Sequence, residues 1–204
     1  MNQYFLIENN QIIEGPIELP DSFGIFSNLA LRTAEELQSI GFYPLVDTQP
    51  VYDAATQSCT RTGYMLGSSS VTADYTVSDL PLSTVKSNQI SDVSAACREA
   101  IYSGFTSDAL GGTFTYPTSD TDQTNLLGSY SASLDPGIPS DWTTPFWCAD
   151  ASGNWALRPH SATQIRKAYT DGMAQKLAYI QKNATLAAEI IAAPTNADVV
   201  ALKW

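Results

Sequence analysis

The feature that most constrains the fold is a long amphipathic helical pattern near the end of the chain. Ser161 and Gln164 have the spacing of a capping box, which predicts that a helix begins there. Pro194 predicts where it ends, because proline cannot continue a helix. Between these points apolar residues recur at helical spacing: Ile165, Tyr169, Met173, Leu177, Ile180, Ala184 and Ile191. A helix of this length needs a second layer against its apolar side, so shorter elements should pack on it.

A second helical pattern covers residues 80–103 and begins near Pro81, a residue suited to a first helical turn. Gly104 then provides a natural end. The apolar residues on one face of this segment are Leu82, Val85, Ile90, Val93, Cys97 and Ile101. We predict a connecting helix over residues 80–104.

The N-terminal part has the signals of a small antiparallel sheet that carries one helix. Residues 4–7 and 12–14 are β-prone and are separated by the turn-forming Asn9 and Asn10. Residues 28–40 predict a short helix, since Thr33 and Glu36 have capping-box spacing and Gly41 follows. Three further strands are expected over residues 42–46, 59–66 and 71–77.

Short elements are predicted between the two long helical patterns. Phe105 and residues 113–116 indicate short strands, and residues 120–134 a helix capped by Ser119 or Asp120. A hairpin should join residues 146–149 to residues 155–157. The fold class is therefore α+β. It comprises an N-terminal β-rich module at 1–79, the connecting helix over 80–104, and a C-terminal domain at 105–204 of long helices on short hairpins.

The charge of the chain disfavours several classes of partner. Lys and Arg total 10 against 21 Asp and Glu, for a formal net charge of −11, which opposes binding to nucleic acid or anionic lipid. No run approaches the roughly 18 apolar residues of a membrane span, and no secretory signal is evident, so we expect synthesis in the cytoplasm without membrane insertion. Cys59, Cys97 and Cys148 show no metal-binding spacing and are expected to be reduced thiols.

His160 is the only histidine, so any Ser-His-Asp or Cys-His mechanism would have to use it, with Cys148 or a serine as nucleophile. The alternative is structural, because His160 precedes the predicted N-cap Ser161 and follows Pro159, where side chains often bond a neighbouring loop. We favour the structural interpretation.

Asp120 and Asp122, with Asp108 and Asp150, could form a metal site or a pair of sugar-cleaving carboxylates. The alternative is that Asp120 and Asp122 cap the first turn of a helix. The Gly111-Gly112 pair lacks the residues of a phosphate-binding loop. We predict no catalytic, cofactor-binding or metal-ligating residue.

A structural role is instead predicted for the polar residues of this region. Gln123 and Asn125 carry donors and acceptors that can hydrogen-bond the backbone of loops, as a polar staple between hairpins and helices. Trp142, Trp147 and Trp155 are expected mainly in the core, with a sugar-stacking platform as the alternative. The residues assigned to the staple or to the motifs around it are Asp122, Gln123, Asn125, Cys148, Asp150 and His160.

The C-terminal half resembles a phage-associated domain of unknown function found among tail proteins of tailed bacteriophages. The resemblance rests on ordered motifs: a G-F-x-S-x-A-L-G-like turn at residues 104–111, Tyr116, a D-Q-x-N-L box at residues 122–126, an F-x-C-x-D-x-x-G hairpin at residues 146–153, and His160. The N-terminal half is similar to a module that often precedes that domain, which implies that residues 1–79 attach the chain to the tail or the fibre. That similarity rests on Leu37, residues 41–44, 52–57 and 75–77, and Leu82.

This resemblance implies a non-enzymatic structural component of the virion tail, in the tail fibre or baseplate region, that contributes to assembly and host attachment. Its partners would be fibre, baseplate or tail-tube proteins, and it would form a homo-oligomer, most often a trimer. Two alternatives stay open: a tail-fibre assembly chaperone, and a module that binds or cleaves host glycans. The resemblance carries no known binding residues.

Overall fold

A computed structural model describes residues 3–204 of the chain. The chain divides into two compact units, Met1–Pro81 and Leu82–Trp204. The first is rich in strands, and the second combines long helices with a small sheet, so the predicted α+β class is confirmed. Among the described residues, no helix is both long and apolar enough to cross a membrane.

The first unit is built on a five-stranded sheet. Its strands, in the order in which they lie, are β2 (Gln11–Ile17), β1 (Tyr4–Glu8), β5 (Phe42–Val46), β7 (Val71–Asp79) and β6 (Gln57–Leu66). All neighbours pair antiparallel except β5 and β7, which run parallel. After β5 the chain first forms the edge strand β6 and then returns as β7, which lies between β6 and β5 and runs in the same direction as β5. The sheet is therefore mixed.

The single predicted helix of this unit is present in two pieces. A 3-10 turn at Leu29–Leu31 follows the two-residue strands β3 (Ser22–Phe23) and β4 (Phe26–Ser27), and α1 then covers Ala34–Ile40. Thr33 separates the two pieces because an N-cap residue keeps an extended backbone. Its capping box with Glu36 forms as predicted. The apolar side chains buried beneath these elements include Leu6, Leu29, Leu37 and Phe42.

The second unit contains a four-stranded antiparallel sheet in the order β11-β10-β9-β8 and four helices. Its elements in chain order are α2 (Leu82–Tyr102), β8 (Phe105–Ser107), β9 (Phe114–Tyr116), α3 (Asp120–Ala132), β10 (Thr143–Ala149), β11 (Trp155–Ser161), α4 (Ala162–Ala192) and α5 (Asn196–Ala201). The helix interpreted as a connecting segment, α2, belongs to this unit, since it packs on α4 and α5 and buries Val85, Val93 and Cys97.

The helix α4 packs against other helices and against the sheet of the second unit. It contacts α2 and α3 as well as strands β8, β10 and β11. Ile165, Ala168 and Ile190 are fully buried on this helix. Gly172 permits a close approach, because a Cβ there would lie 2.8 Å from the ring of Phe105 on β8. The core around the sheet consists of Phe105, Tyr116, Leu126, Phe146, Cys148, Ile165 and Ala168.

The apolar stripe predicted for α4 does not follow the core. Its first member, Ile165, is buried, but Met173 and Leu177 are 45% and 53% exposed and Ile191 is 64% exposed. Four residues turn an ideal helix by about 400°, so successive i+4 steps drift about 40° around the axis. The predicted set begins against the core and moves into solvent within two turns.

Candidate functional site

The residues that form the sequence motifs meet around a buried Tyr116–His160 pair. Tyr116 lies on β9 and His160 near the end of β11, and both side chains are inaccessible to solvent. The Tyr116 hydroxyl lies 2.8 Å from His160 Nε2, and His160 Nδ1 lies 2.9 Å from the Arg158 backbone carbonyl oxygen. Both ring nitrogens therefore have a partner within the protein.

These contacts fix the tautomer of His160. A carbonyl oxygen only accepts, so Nδ1 carries the hydrogen and donates it to Arg158. Burial lowers the pKa of His160, which keeps the ring neutral. The Nε2 lone pair then accepts from the Tyr116 hydroxyl, whose own pKa is raised mainly by burial.

These hydrogen bonds occupy both ring nitrogens of His160 with groups of the protein itself. A general base needs a free lone pair within reach of a nucleophile's proton, and here that lone pair is taken by Tyr116. The thiol of Cys148 is also buried, and its pKa is raised mainly by that burial, which disfavours the reactive thiolate. Tyr116 and His160 therefore act as a hydrogen-bonded link between β9 and β11.

The side chain of Arg158 hydrogen-bonds several groups of the β10–β11 hairpin. Its guanidinium donates to the Cys148 carbonyl oxygen, and at 3.2 Å to both Asp150 Oδ2 and the Asn154 carbonyl oxygen. The guanidinium also lies over the Phe114 ring, 5.1 Å from the ring centre. Arg158 thus ties the hairpin turn to strand β9.

Asp150 closes the same turn. Its Oδ1 accepts from the backbone N–H of Ser152 at 2.9 Å and of Asn154 at 3.1 Å. These bonds, that of Asn154 foremost, hold the pKa of Asp150 below its usual range. Because the carboxylate is occupied by the turn and by Arg158, the motif F-x-C-x-D-x-x-G encodes a hairpin conformation.

Gln123, predicted to belong to a polar staple between hairpins and helices, hydrogen-bonds one backbone carbonyl and one lysine side chain. Its Nε2 donates to the Thr118 backbone carbonyl oxygen at 2.9 Å, and its Oε1 accepts from Lys176 Nζ at 2.6 Å. The side chain therefore joins the segment before α3 to α4. Lys176 is a partner that no local spacing in the sequence indicates, since it is 53 residues away.

A cleft of about 330 Å³ lies above this staple. Its polar side chains include Thr118, Gln123, Thr124, Gln175 and Lys176. The apolar part of its lining comes from α2, β8, α3 and α4 and includes Ile101, Phe105, Leu126, Leu127, Tyr169 and Met173. The size and apolar lining are those of a small ligand site or a contact for one apolar side chain.

The other predicted residues do not join the staple. Asp122 forms a capping box with Ser119, as the alternative interpretation expects. Asn125 is exposed on α3 beside a shallow groove lined also by Trp147 and Leu157.

The four aspartates considered for chemistry have separate partners. Asp120 accepts from the Tyr102 hydroxyl at 2.8 Å, and Asp108 pairs with Lys167 at 2.7 Å. Asp122 and Asp150 are occupied by the Ser119 cap and the hairpin turn. Among residues 3–204, no group of three or more His, Cys, Asp or Glu side chains is placed to hold a metal ion.

The tryptophans of the hairpin differ from the core placement favoured by sequence. Trp142 packs against the core, but Trp147 and Trp155 are 52% and 51% exposed. Residues 147 and 157 are cross-strand partners, as are residues 149 and 155, so Trp147, Trp155 and Leu157 share the outer face. The core side of the hairpin is filled by Phe146 and Cys148.

Besides Lys176, the residues Arg158 and Asp171 were absent from the predicted set. Arg158 could have been found, because alternation along a strand places it on the same face as His160. Asp171, which accepts from the Ser107 hydroxyl and pairs with Lys167 at 3.1 Å, has only the i,i+4 spacing to Lys167 as a local signal.

The buried His160 predicts a defined pH dependence of stability. The folded-state pKa lies below the ordinary value of 6.5, so the unfolded chain binds the proton more readily. The contribution of the neutral ring is therefore complete above about pH 6.5 and is lost as the pH falls, with a slope of at most about 1.4 kcal/mol per pH unit.

Urea unfolding between about pH 5 and pH 7, followed by tryptophan fluorescence, measures this slope. All four tryptophans lie in the second unit, so the signal reports on that unit. His160→Gln keeps an acceptor for Tyr116 without a titratable group and should flatten the slope. If the slope in this variant equals that of the unmodified chain, the pH dependence does not come from the lowered pKa of His160.

Gln123→Leu should destabilise the second unit by about 1 to 3 kcal/mol, because the Thr118 carbonyl loses its donor and Lys176 its acceptor. Asn125→Leu is the matched control on the same helix, and we expect a change within about 0.5 kcal/mol because Asn125 is exposed. Urea unfolding measures both. Equal losses in the two variants would refute the staple.

Comparison with known proteins places this unit in a family. A family model described as a domain of unknown function, DUF4376, matches residues 84–202, which runs from the start of α2 to just beyond α5. No curated protein and no solved structure matches the chain. The matched region is more than half of the chain and includes every residue of the Tyr116–His160 site. The chain therefore belongs to the DUF4376 domain family.

Proposed function

We propose that the chain is a non-enzymatic structural component of a bacteriophage tail, in the fibre or baseplate region, that contributes to virion assembly and host attachment. The tail location is supported by the ordered motifs of residues 104–160 and their resemblance to phage tail proteins. The non-enzymatic character is supported by what those motifs do in the fold.

The observation that carries this proposal is the closed hydrogen bonding of His160. The only histidine of the chain is buried, neutral and bonded at both ring nitrogens. Arg158 and Asp150 are likewise occupied by the hairpin, and Gln123 by the Thr118 carbonyl. The residues that the sequence offers as candidates for catalysis or metal binding thus position strands and helix ends. This is the role expected of such residues in a structural protein.

Mass spectrometry of purified particles of the phage that encodes the chain tests this proposal. We expect the chain at a fixed copy number per particle, together with fibre and baseplate proteins. A tail-fibre assembly chaperone would be abundant in infected cells and absent from finished particles. That result would replace the structural proposal with the chaperone.

A host-glycan contact is a second candidate function, and the outer face of the hairpin favours it. Trp147 and Trp155 present half-exposed rings, and Leu157 extends the same face. The groove beside Trp147 also contains Asn125, whose side-chain amide can hydrogen-bond sugar hydroxyls. Flat aromatic rings next to polar side chains form a surface on which sugar rings can stack.

Binding of the full-length chain to surface polysaccharide of the host tests this second candidate. Replacing Trp147 and Trp155 together by Ala should weaken binding about tenfold or more, since two stacking contacts are lost. Leu134→Ala removes a side chain of similar exposure outside the hairpin and should leave binding unchanged. Absence of binding by the unmodified chain would eliminate the candidate and leave the tail proposal intact.

A further inference from the structure

The cleft above the Gln123 staple combines an apolar wall with a single positive charge. It has a volume of about 330 Å³ and is lined by α2, β8, α3 and α4. Among the described residues, Lys176 on α4 is the one charged side chain of the lining. The chain as a whole has a formal net charge of −11, so this cleft differs in sign from the protein around it.

The ammonium group of Lys176 is not neutralised by the protein. It donates to Gln123 Oε1 at 2.6 Å, and an amide oxygen carries no full charge. An ammonium group has three donors, and the part of the chain that the structure describes gives Lys176 no ion pair. Acidic residues of the same two helices have other partners, since Asp122 caps α3 and Asp171 pairs with Lys167. Lys176 thus keeps its charge for a group from outside the protein.

Most of the other polar side chains of the cleft are bonded to its walls. Gln123 Nε2 donates to the Thr118 carbonyl oxygen, and Gln175 Nε2 donates to the Tyr179 hydroxyl at 2.8 Å. The Thr118 hydroxyl donates to the Ile101 carbonyl oxygen at 2.6 Å. A ligand in the cleft therefore meets apolar surface and one ammonium group.

Part of the apolar lining is open to water. Leu127 on α3 and Met173 on α4 are 48% and 45% exposed. Covering them with an apolar group removes that surface from water, which favours binding. The cleft volume is at the lower end of the range for small-molecule sites, about 300 to 1,000 Å³, so a compact ligand fits it.

We propose that this cleft binds a small monocarboxylate with an apolar body, of the class of a medium-chain fatty acid, whose carboxylate pairs with Lys176. Hydrogen bonds between an ammonium and a carboxylate are about twice as strong as neutral ones. Because the lining offers one cation, a second charge on the ligand would be buried without a partner, which favours a monoacid. The site does not rest on the tail assignment.

Methyl NMR of the full chain, isotope-labelled at its methionine methyl groups, tests the proposal. Met173 lines the cleft, whereas Met65 lies on β6 of the first unit and is an internal reference. Titration with octanoate should shift the Met173 signal to saturation and leave the Met65 signal in place. Loss of a signal in Met173→Leu assigns it.

Two ligand comparisons separate the contributions of charge and apolar surface. Octanol has an apolar body of the same length without the charge, and we expect it to bind about tenfold more weakly than octanoate. Among butanoate, hexanoate and octanoate, affinity should rise about fourfold for each added methylene, because each one removes further apolar surface from water.

Lys176→Gln removes the charge and keeps a donor for Gln123. This variant should bind octanoate about tenfold more weakly and octanol as the unmodified chain does, which also shows that the cleft has formed. Lys182→Gln is the matched control, since it removes the same charge from an exposed position of α4 outside the cleft. It should bind octanoate like the unmodified chain.

A Met173 signal that does not shift at millimolar octanoate would overturn the proposal. Equal affinities for octanoate and octanol, or equal losses in Lys176→Gln and Lys182→Gln, would also overturn it, because the charge of Lys176 would then not select the ligand. Tighter binding of N-acetyl-leucine than of octanoate would replace the fatty acid with the terminal carboxylate of a polypeptide. These results do not depend on whether the chain is found in phage particles.

Discussion

The second unit depends on one constraint, which is that a single helix of 31 residues must pack against two different layers. Near its start α4 lies against the sheet, where Ile165 and Ala168 are buried and Gly172 admits the ring of Phe105. Further along, it lies against α2, and Ile190 is fully buried. The helix therefore contributes buried side chains to the core around the sheet and also packs against the helix α2.

The sequence predicted correctly the features that depend on interactions between neighbouring residues. Ser161 with Gln164 forms the reciprocal cap that their spacing predicts, and Ser119, one of two candidates for the cap of α3, is its N-cap. Such caps need only four consecutive residues, so they are visible without knowledge of the fold. The α+β class and the order of most elements follow from the same kind of pattern.

Contacts between distant residues could not be read in this way. Tyr116 and His160 are 44 residues apart, and Gln123 and Lys176 are 53 apart. No sequence rule fixed the parallel pairing of β5 with β7, which depends on where an intervening strand lies. The apolar stripe predicted for α4 shows a further limit, because its spacing is helical and yet Met173, Leu177 and Ile180 are exposed.

The junction between β11 and α4 has a mechanical consequence. Ser161 is both the last residue of the strand and the N-cap of the helix, so no loop separates the hairpin from the helix axis. A force applied at the outer face of the hairpin would pass into α4 without a flexible hinge between them. Because β11 and α4 meet at one residue, the direction of the strand determines the direction in which the helix begins.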